Sequence, residues 1–493
     1  IEGEIQALFF RYESRGGFDY ATDVLIGPRT RLEAPTVKDG VPFTRPGDSG
    51  TLWFYDPPSG GEGDADDPMN PVQAPERGLK ARRLRPVAMQ WGGQRFSVAG
   101  EKPAAFALGS FLSTICRALD VEVVRNWSTG HDEYWGKLGH FAIGFKACDQ
   151  LSGKLKTLMK KNQKRIGFDN ATLGKGAGFK LGQGAFVPLS DVPDYIWLFP
   201  RKNEGIQHFA DVDLRDIDGG QTLLERCVQD PANVSATVWK QYFDGFAAAG
   251  VGPEEGALPF RVWQIWEAMV EYLQNDDIMR FVAAAGILAH YVGDASQPLH
   301  SSFMHHGIPP MKTVNGRKYP FKSSSQQFKD FKKTPEADIH GIYEQTMLEF
   351  KTVDALVAVD DLLQDGIPTV SVKNGHEAAV ATVQLMAKVQ QRLSPKSIVN
   401  ADDPTLSETE RAERLWKKAK IRNSTVASLA ESVQLLADLW KSAWRIGKGS
   451  TKPSALLVEF TEEEIDKVCR KEHQTFIPSL SLEEMVDSGN YEP

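Results

Sequence analysis

The hydrophobic pattern of the chain changes once, near residue 129, and this change limits the folds that the chain can adopt. Up to about residue 125, short runs such as "YATDVLIG" (20–27) and "TLWFYD" (51–56) are rich in β-branched and aromatic residues. Gly, Pro and Asp separate them, which is typical of β-strands and turns. Only the segment 104–124, which begins "AAFALGSF", resembles a helix followed by a last apolar run.

Beyond residue 129, long segments carry apolar residues at i, i+3 and i+4 spacing, for example "DIMRFVAAAGILAHYVGD" (277–294). This period is typical of amphipathic helices. We therefore predict a multi-domain α+β protein, in which an all-β domain is followed by a mainly α-helical domain. The predicted boundaries are 1–128 for the β domain, 129–447 for the helical domain and 448–493 for a polar C-terminal tail.

Composition places the chain among ordinary globular proteins. It has 493 residues, which is too long for one hydrophobic core, and it is 41% hydrophobic and 25% charged. The formal net charge of −8 gives no global reason to expect a polyanionic partner, although local basic patches matter more than the total. The segment 312–333 is such a patch, with seven Lys or Arg residues against one Asp.

The sequence favours a cytoplasmic protein. No apolar run approaches the roughly 20 residues that span a bilayer, so we expect no transmembrane segment. The four cysteines are far apart, which argues against a disulfide framework and against a thiolate zinc site. The opening "IEGEIQALFF" has neither a methionine nor a signal pattern. We expect that the true N-terminus lies upstream, so secretion stays open.

The histidines carry most of the chemical information. There are ten, and none occurs before His131. His290 and Asp294 are four residues apart, so they share one face of a helix, and His340 and Glu344 repeat this spacing. A lone histidine in a helix is more often a core or surface residue, but paired imidazoles and carboxylates are the ligands of catalytic zinc, manganese or iron. Two such pairs on separate helices predict a multinuclear metal site.

The segment "HYVGDASQPLH" (290–300) resembles the H-x-x-x-D-x-x-Q-P-L-H signature of zinc-dependent single-strand nucleases, a superfamily that includes bacterial zinc phospholipase C. Four further segments are similar to motifs of this family, in the family's order: "WGKLGHFAIGF" (135–145), "VPDYIW" (192–197), "HFAD" (208–211) and "LAESVQLLADLW" (429–440). The resemblance covers about residues 130–447.

The resemblance implies a site for up to three zinc ions. The ligands that it implies are Asp194, His208, His290 and Asp294 for one ion, His300, His340 and Glu344 for a second, and Trp135, His140 and the bridging Asp294 for a third. Asp194 would also orient the attacking water, so it is the catalytic residue of this site. Phe209 and Asp211 match positions that stack a base and bond its edge, which implies single-stranded DNA or RNA as the substrate.

The chain departs from the family at several positions. Trp197 stands where the family has an arginine, and Arg201 or Lys202 could substitute for it. The family's Gly-Gly-Asn is missing, and His305 and His306 lie there instead, either as extra ligands or as exposed histidines, with exposure the expected alternative.

The largest departure concerns Trp135. In the family this tryptophan is the mature N-terminus, whereas here its nitrogen belongs to a peptide bond and has no lone pair to offer. The third zinc is therefore weak or absent, or the chain is cut between Tyr134 and Trp135. A nuclease that stays latent until this cut would suit a toxic effector, for example in defence against phage.

The N-terminal region resembles the second barrel of trypsin-like serine proteases. "RPGDSGTLWF" (45–54) contains the G-D-S-G motif, and "QWGG" (90–93) is similar to a second motif. Ser49 would be the nucleophile, and the amides of Gly47 and Ser49 would form the oxyanion hole. Residues 1–130 contain no histidine to act as the base. We expect an upstream first-barrel fragment to supply the histidine and the aspartate.

Together these features predict a zinc-dependent nuclease fused to a trypsin-like protease module. Two alternatives stay open. One is a zinc phospholipase C that acts on lipid head groups, since a glutamate at position 344 is similar to the phospholipase branch. The other is a non-catalytic scaffold with structural zinc.

Overall fold

A computed structural model describes residues 3–13, 19–28, 52–55, 85–96, 104–112, 114–115, 136–176, 181 and 185–493. The chain divides into two compact units, Ile1–Asn126 and Trp127–Pro493. The predicted domain boundary after residue 128 lies close to this division.

The N-terminal unit contains one antiparallel sheet. Its strands are β1 (Gly3–Glu13), β2 (Asp19–Pro28), β3 (Leu52–Tyr55), β4 (Arg85–Phe96) and β5 (Ala104–Phe111), in the order β1-β2-β5-β4-β3. Val24, Ile26, Ala88 and Ala107 form its small buried core. Together with the helical unit, this sheet confirms the mixed α+β layout. The trypsin-like barrel stays a prediction, and Gly47 and Ser49 lie outside the described residues.

Strand β5 differs from the sequence prediction of a helix. It pairs with β2 on one side and with β4 on the other, so it is a central strand of the sheet. The neighbouring residues Ala107 and Leu108, which point to opposite faces, are 0% and 2% exposed. A strand that is buried on both faces has a continuous apolar run instead of an alternating pattern. Such a run cannot be distinguished from a buried helix by its period.

The second unit is mainly helical, as predicted. Its helices of seven or more residues are α1 (Gly136–Ala147), α2 (Gly153–Lys161), α3 (Leu223–Gln229), α4 (Ala236–Ala248), α5 (Leu258–Gln274), α6 (Ile278–Ala295), α7 (Thr352–Asp365), α8 (Gly375–Arg392), α9 (Glu408–Lys417), α10 (Ala419–Ile446) and α11 (Leu482–Ser488). Shorter α-helices are Gln163–Ile166, Asn170–Leu173, Gln326–Phe331, Ile339–Gly341, Met347–Phe350, Pro395–Val399 and Glu462–Asp466.

Single 3₁₀ or π turns connect these helices. They are Cys148–Gln150, Leu189–Asp191, Pro193–Trp197, Gly205–Gln207, Pro231–Asn233, Pro298–Ser301, Pro335–Asp338, Ile342–Thr346, Gly449–Thr451, Ser454–Leu456 and Lys467–Lys471. Strands β6 (Met311–Val314) and β7 (Arg317–Pro320) form a hairpin.

Helix α6 is the centre of the helical unit. Its N-terminus is capped by Asp277, whose side chain accepts a hydrogen bond from the Arg280 amide. The indole of Trp440 on α10 donates to the Ala285 carbonyl of α6, which ties these two helices together.

Among the described helices, α6 alone is long and apolar enough to cross a membrane, but 89% of it is buried inside the unit. Core helices satisfy the same criteria, so we draw no membrane assignment from it.

Residues 448–493 were predicted to form a polar tail, but they pack against the helical unit. The indole of Trp197 donates to the Cys469 carbonyl at 2.8 Å, and Arg201 donates to the Phe476 carbonyl at 2.8 Å. Both Cys469 and Phe476 are buried. The apolar positions of this segment are too sparse to give a clear helical period, so the sequence pattern did not indicate that the segment packs.

Candidate metal centre

The first group of predicted ligands surrounds the C-terminal turn of α6. His290 Nε2 lies 2.9 Å from His208 Nδ1, 3.3 Å from Asp194 Oδ1 and 3.3 Å from Asp294 Oδ2. His208 Nδ1 in turn lies 3.2 Å from Asp294 Oδ2 and 3.5 Å from Asp194 Oδ1. All four side chains are buried. Three separate segments of the chain therefore bring two imidazoles and two carboxylates to one point.

The second group lies where the chain leaves α6. Pro298 cannot continue the helix, and the 3₁₀ turn Pro298–Ser301 points His300 at the next ligands. His300 Nε2 is 2.8 Å from His340 Nε2 and 3.2 Å from Glu344 Oε2. His340 Nε2 is 2.8 Å from Glu344 Oε2. His340 lies in the short helix Ile339–Gly341, and Glu344 lies in the middle of the π turn Ile342–Thr346 that follows it. Such turns are frequent at functional sites.

Backbone carbonyls hold two of the imidazoles in one tautomer. His290 Nδ1 lies 3.0 Å from the Ser190 carbonyl, and His300 Nδ1 lies 2.7 Å from the His208 carbonyl. A carbonyl only accepts, so each Nδ1 carries the proton. The lone pair of each Nε2 therefore points into its ligand group, as in metal sites whose histidines donate their other nitrogen to the backbone.

His140 on α1 completes the first group from the opposite side. Its ring stacks on His290 with 3.9 Å between the centroids, and its Nε2 lies 3.5 Å from Asp294 Oδ1. Gly293 makes room for it, because a Cβ there would lie 2.8 Å from His140 Nδ1. Neither ring nitrogen of His140 has a hydrogen-bond partner among the described residues. Trp135, the other predicted ligand on this side, lies outside them.

The electrostatics of both groups favour bound cations. Burial raises the pKa of Asp294 to about 7 against the opposing effect of His290 and His300. Burial also raises the pKa of Asp194. For His290, burial acts to lower the pKa, but the Asp194 and Asp294 carboxylates raise it well above its usual value. Burial likewise acts to raise the pKa of Glu344, but the neighbouring His340 and His300 lower it to about 2. In both groups, carboxylate oxygens and imidazole nitrogens therefore face each other in a buried environment. Either protons or metal ions between these atoms would stabilise the arrangement.

These residues fit divalent metal ions. Zn–N bonds of about 2.0–2.1 Å place two tetrahedral ligand atoms roughly 3.3 Å apart, close to the separations within both groups. Three sets of residues could each hold an ion, because within each set the ligand atoms lie within 4.8 Å of one another. The sets are His208, His290 and Asp294; His300, His340 and Glu344; and His140, Asp191, Asp194 and His290. A buried imidazole such as His140, which has no hydrogen-bond partner among the described residues, is costly unless a ligand satisfies it. These buried clusters could therefore hold metal ions, and zinc stays a prediction.

Two residues that the sequence analysis missed support the ligands. Asp191 is 1% exposed, and its Oδ1 lies 3.5 Å from His290 Nδ1. In the sequence, only its position three residues before Asp194 could have indicated that Asp191 lies at the site. Gln297 donates from Nε2 to Glu344 Oε2 at 3.0 Å, so it orients a predicted ligand. Outer partners of this kind tune metal sites.

Arg201, one of the two proposed substitutes for the family's arginine, makes its contacts with Trp197 and the C-terminal segment. The Arg201 guanidinium stacks on the Trp197 ring at 3.3 Å and donates to the Phe476 and Ile477 carbonyls. The Lys202 side chain is exposed. Arg201 therefore anchors the C-terminal segment, and the expectation that it replaces the arginine is wrong.

The expectation of exposed histidines at positions 305 and 306 is also wrong. His305 is 6% exposed and His306 is 8% exposed. The His305 ring lies 4.0 Å from the His340 ring, so the pair lies beside the second group. Residues 311–333, which include the hairpin and the helix Gln326–Phe331, cover this region, and the Phe328 ring lies 6.2 Å from that of His306.

The two predicted substrate-binding residues differ in their exposure. Phe209 is half-buried, contacts the His305 ring edge-on at 5.7 Å, and lines a cleft of about 340 Å³. Asp211 is 2% exposed, and its Oδ2 accepts a hydrogen bond from the Glu254 amide at 3.0 Å. Phe209 can therefore meet a ligand in the cleft, whereas Asp211 first of all fixes the loop at Glu254.

Comparisons with known proteins give one informative relative. A protein from Bradyrhizobium tropiciagri named a probable serine protease is 34% identical over 528 aligned residues. The alignment covers 99% of this chain and 63% of the relative, so the chain spans less than two thirds of that protein's length. No known protein-family profile matches the chain. No solved structure matches it either.

Proposed function

We propose that the helical unit is a metal-dependent phosphodiester hydrolase, most simply a nuclease for single-stranded DNA or RNA, and that the N-terminal unit is a trypsin-like protease module. The observation that carries the first part is the convergence of buried imidazoles and carboxylates at hydrogen-bonding distances in two adjoining groups. A site of this composition suits divalent cations, and it lies beside a cleft that contains Phe209.

In this proposal His208, His290, Asp194 and Asp294 hold one zinc ion, and His300, His340 and Glu344 hold a second. Bound zinc supplies Lewis acidity, which lowers the pKa of water to about 7 and stabilises charge on phosphate oxygens. His140 would add a ligand for a third ion, for which Trp135 can contribute its nitrogen only after cleavage of the Tyr134–Trp135 bond.

The protein's own side chains would position the reactants. Asp194 would accept a hydrogen bond from the attacking water and fix its direction toward the phosphorus. The Phe209 ring would stack on a base in the cleft, a contact that tolerates any sequence and suits single strands. Lys322, which lines the same cleft, would neutralise a neighbouring phosphate.

The protease part rests on the relative named a probable serine protease, which matches nearly the whole chain. Ser49 would be the nucleophile, and the amides of Gly47 and Ser49 would bind the oxyanion. The histidine and aspartate would come from a first-barrel segment that is not part of this sequence. We further propose that proteolysis before Trp135 activates a latent nuclease, as a defence effector would require.

A second candidate is a phospholipase C acting on lipid head groups. The cleft beside Phe209 is lined by three carboxylates, Asp244, Glu254 and Glu255, against one lysine. Acidic and aromatic side chains together suit a cationic head group such as choline.

The test incubates the chain, both uncut and cut before Trp135, with single-stranded DNA, RNA and phosphatidylcholine vesicles, with and without a chelator. The nuclease proposal predicts that the cut chain cleaves a nucleic acid, that the chelator stops this cleavage and that zinc restores it. Cleavage of the lipid alone would support the second candidate. Hydrolysis of none of the three, by the uncut chain and by a chain cut at Trp135, would contradict both.

A further inference from the structure

Three imidazoles form a cluster that goes beyond the ligands discussed so far. One ligand nitrogen from each of His305, His306 and His340 lies within 4.8 Å of the other two. The ring centroids of His305 and His306 are 4.5 Å apart, and those of His305 and His340 are 4.0 Å apart. Because His340 also belongs to the second group, this cluster adjoins the metal centre.

His305 is the member that needs a ligand most. The residue is only 6% exposed, and its Nδ1 is buried without a hydrogen-bond partner among the described residues. An unsatisfied buried nitrogen lowers the stability of the fold, so a site of this kind is normally completed by water, by a ligand or by an ion. No carboxylate belongs to the set, which makes it an all-nitrogen site.

His306 already faces a cation. The Lys332 ammonium lies 2.8 Å from His306 Nε2 and 3.0 Å from His306 Nδ1. The ammonium is thus nearly equidistant from the two ring nitrogens. Its positive charge next to the ring disfavours a metal ion on His306. Lys332 follows the short helix Gln326–Phe331 and is only half-buried, so its side chain can turn to solvent.

We propose that His305, His306 and His340 form a further binding site for a divalent transition-metal ion such as Zn²⁺, and that Lys332 competes with this ion for His306. Imidazole ligands without carboxylates suit zinc, copper and nickel and disfavour magnesium and calcium. His340 belongs to both clusters, so this ion would lie next to the one proposed for the second group. This site goes beyond the proposed function, because it binds a cation whether or not a phosphodiester is cut.

The test measures zinc binding to the full chain by equilibrium dialysis against zinc alone, followed by elemental analysis. His305→Gln should lose one zinc ion per chain relative to the wild type. Lys332→Met should tighten one zinc site, the one that His305→Gln removes, by about tenfold, since it removes a positive charge next to the ion and keeps the alkyl chain. Lys333→Met is the matched control, because that side chain is 70% exposed, and it should leave every affinity unchanged.

An unchanged zinc count in folded His305→Gln would overturn the proposal. If no zinc affinity changes in Lys332→Met, the proposal is also overturned, and this surface substitution serves as the test if His305→Gln does not fold. Circular dichroism checks the folding of each variant. A chain that cleaves none of the phosphodiesters but still loses a zinc ion on His305→Gln would contradict the proposed function and support this site.

Discussion

The two units of the molecule differ in how much of their chemistry a single stretch of sequence can encode. In the helical unit, His290 and Asp294 are paired on one helix, and His340 and Glu344 are paired across the junction of a short helix and a π turn. Two of the four residues in the first group and two of the three in the second are therefore fixed by local spacing. In the N-terminal unit, the predicted nucleophile Ser49 has no histidine within residues 1–130 to activate it. Local spacing therefore predicts part of each candidate metal group, whereas every partner of Ser49 must come from a distant segment.

The largest effect on phosphodiester cleavage is expected at Asp294, which contacts both ligand groups. Its Oδ2 lies 3.2 Å from His208 Nδ1, and its Oδ1 lies 3.6 Å from His300 Nδ1. Asp294→Asn should lower the rate of single-stranded DNA cleavage by about a thousandfold, since a lost metal contribution of several kcal/mol changes the rate by that factor. Proteolysis should be unaffected. Asp330→Asn, with a side chain 62% exposed in the wild type, is the control. Cleavage within tenfold of the wild type would count against the site.

A smaller effect, on zinc affinity, is expected when Glu344 is kept but the hydrogen bond that orients it is removed. Gln297→Ala deletes the hydrogen bond to Glu344 and should weaken zinc binding by about 10- to 100-fold. Competition with a fluorescent chelator measures this affinity. Gln326→Ala, at an exposed position, should leave it unchanged. Equal affinities in the two variants would show that Glu344 does not ligate zinc.

Substrate choice can be tested at Phe209. Phe209→Ala should lower cleavage of single-stranded DNA by about 5- to 100-fold, because a stacked base contributes roughly 1–3 kcal/mol. The variant should cleave phosphatidylcholine as the wild type does. Phe350→Ala, at a position 41% exposed, is the control. A loss confined to the lipid substrate would favour the phospholipase instead.

The smallest effect on phosphodiester cleavage is expected at Ser49. Ser49→Ala should abolish any proteolysis, because the hydroxyl is the proposed nucleophile. It should leave nuclease activity of the precut chain within about twofold, since the proposed nucleophile and the metal groups belong to separate units of the chain. Parallel peptide and DNA assays on one preparation measure both rates. A large loss of DNA cleavage in the precut chain would show that the two activities are coupled.

The sequence predicted which histidines and carboxylates lie together better than it predicted their surroundings, and their role as metal ligands stays a prediction. His290 and Asp294 followed from helical spacing, and His140 and His208 followed from resemblance to the nuclease motifs. The burial of His305 did not follow, because it depends on how residues 311–333 pack over that histidine. Strand β5 and the packing of residues 448–493 were also missed, since pairing with neighbouring strands and burial against distant helices override local propensity.

The central claim is that imidazoles and carboxylates from separate segments hold divalent ions between them. Elemental analysis of the purified full chain, expressed in zinc-supplemented medium, tests this claim most directly. The account predicts at least two zinc ions per chain, with fewer bound to Asp294→Asn. Zinc below one ion per chain in a folded sample, unchanged by Asp294→Asn, would contradict it.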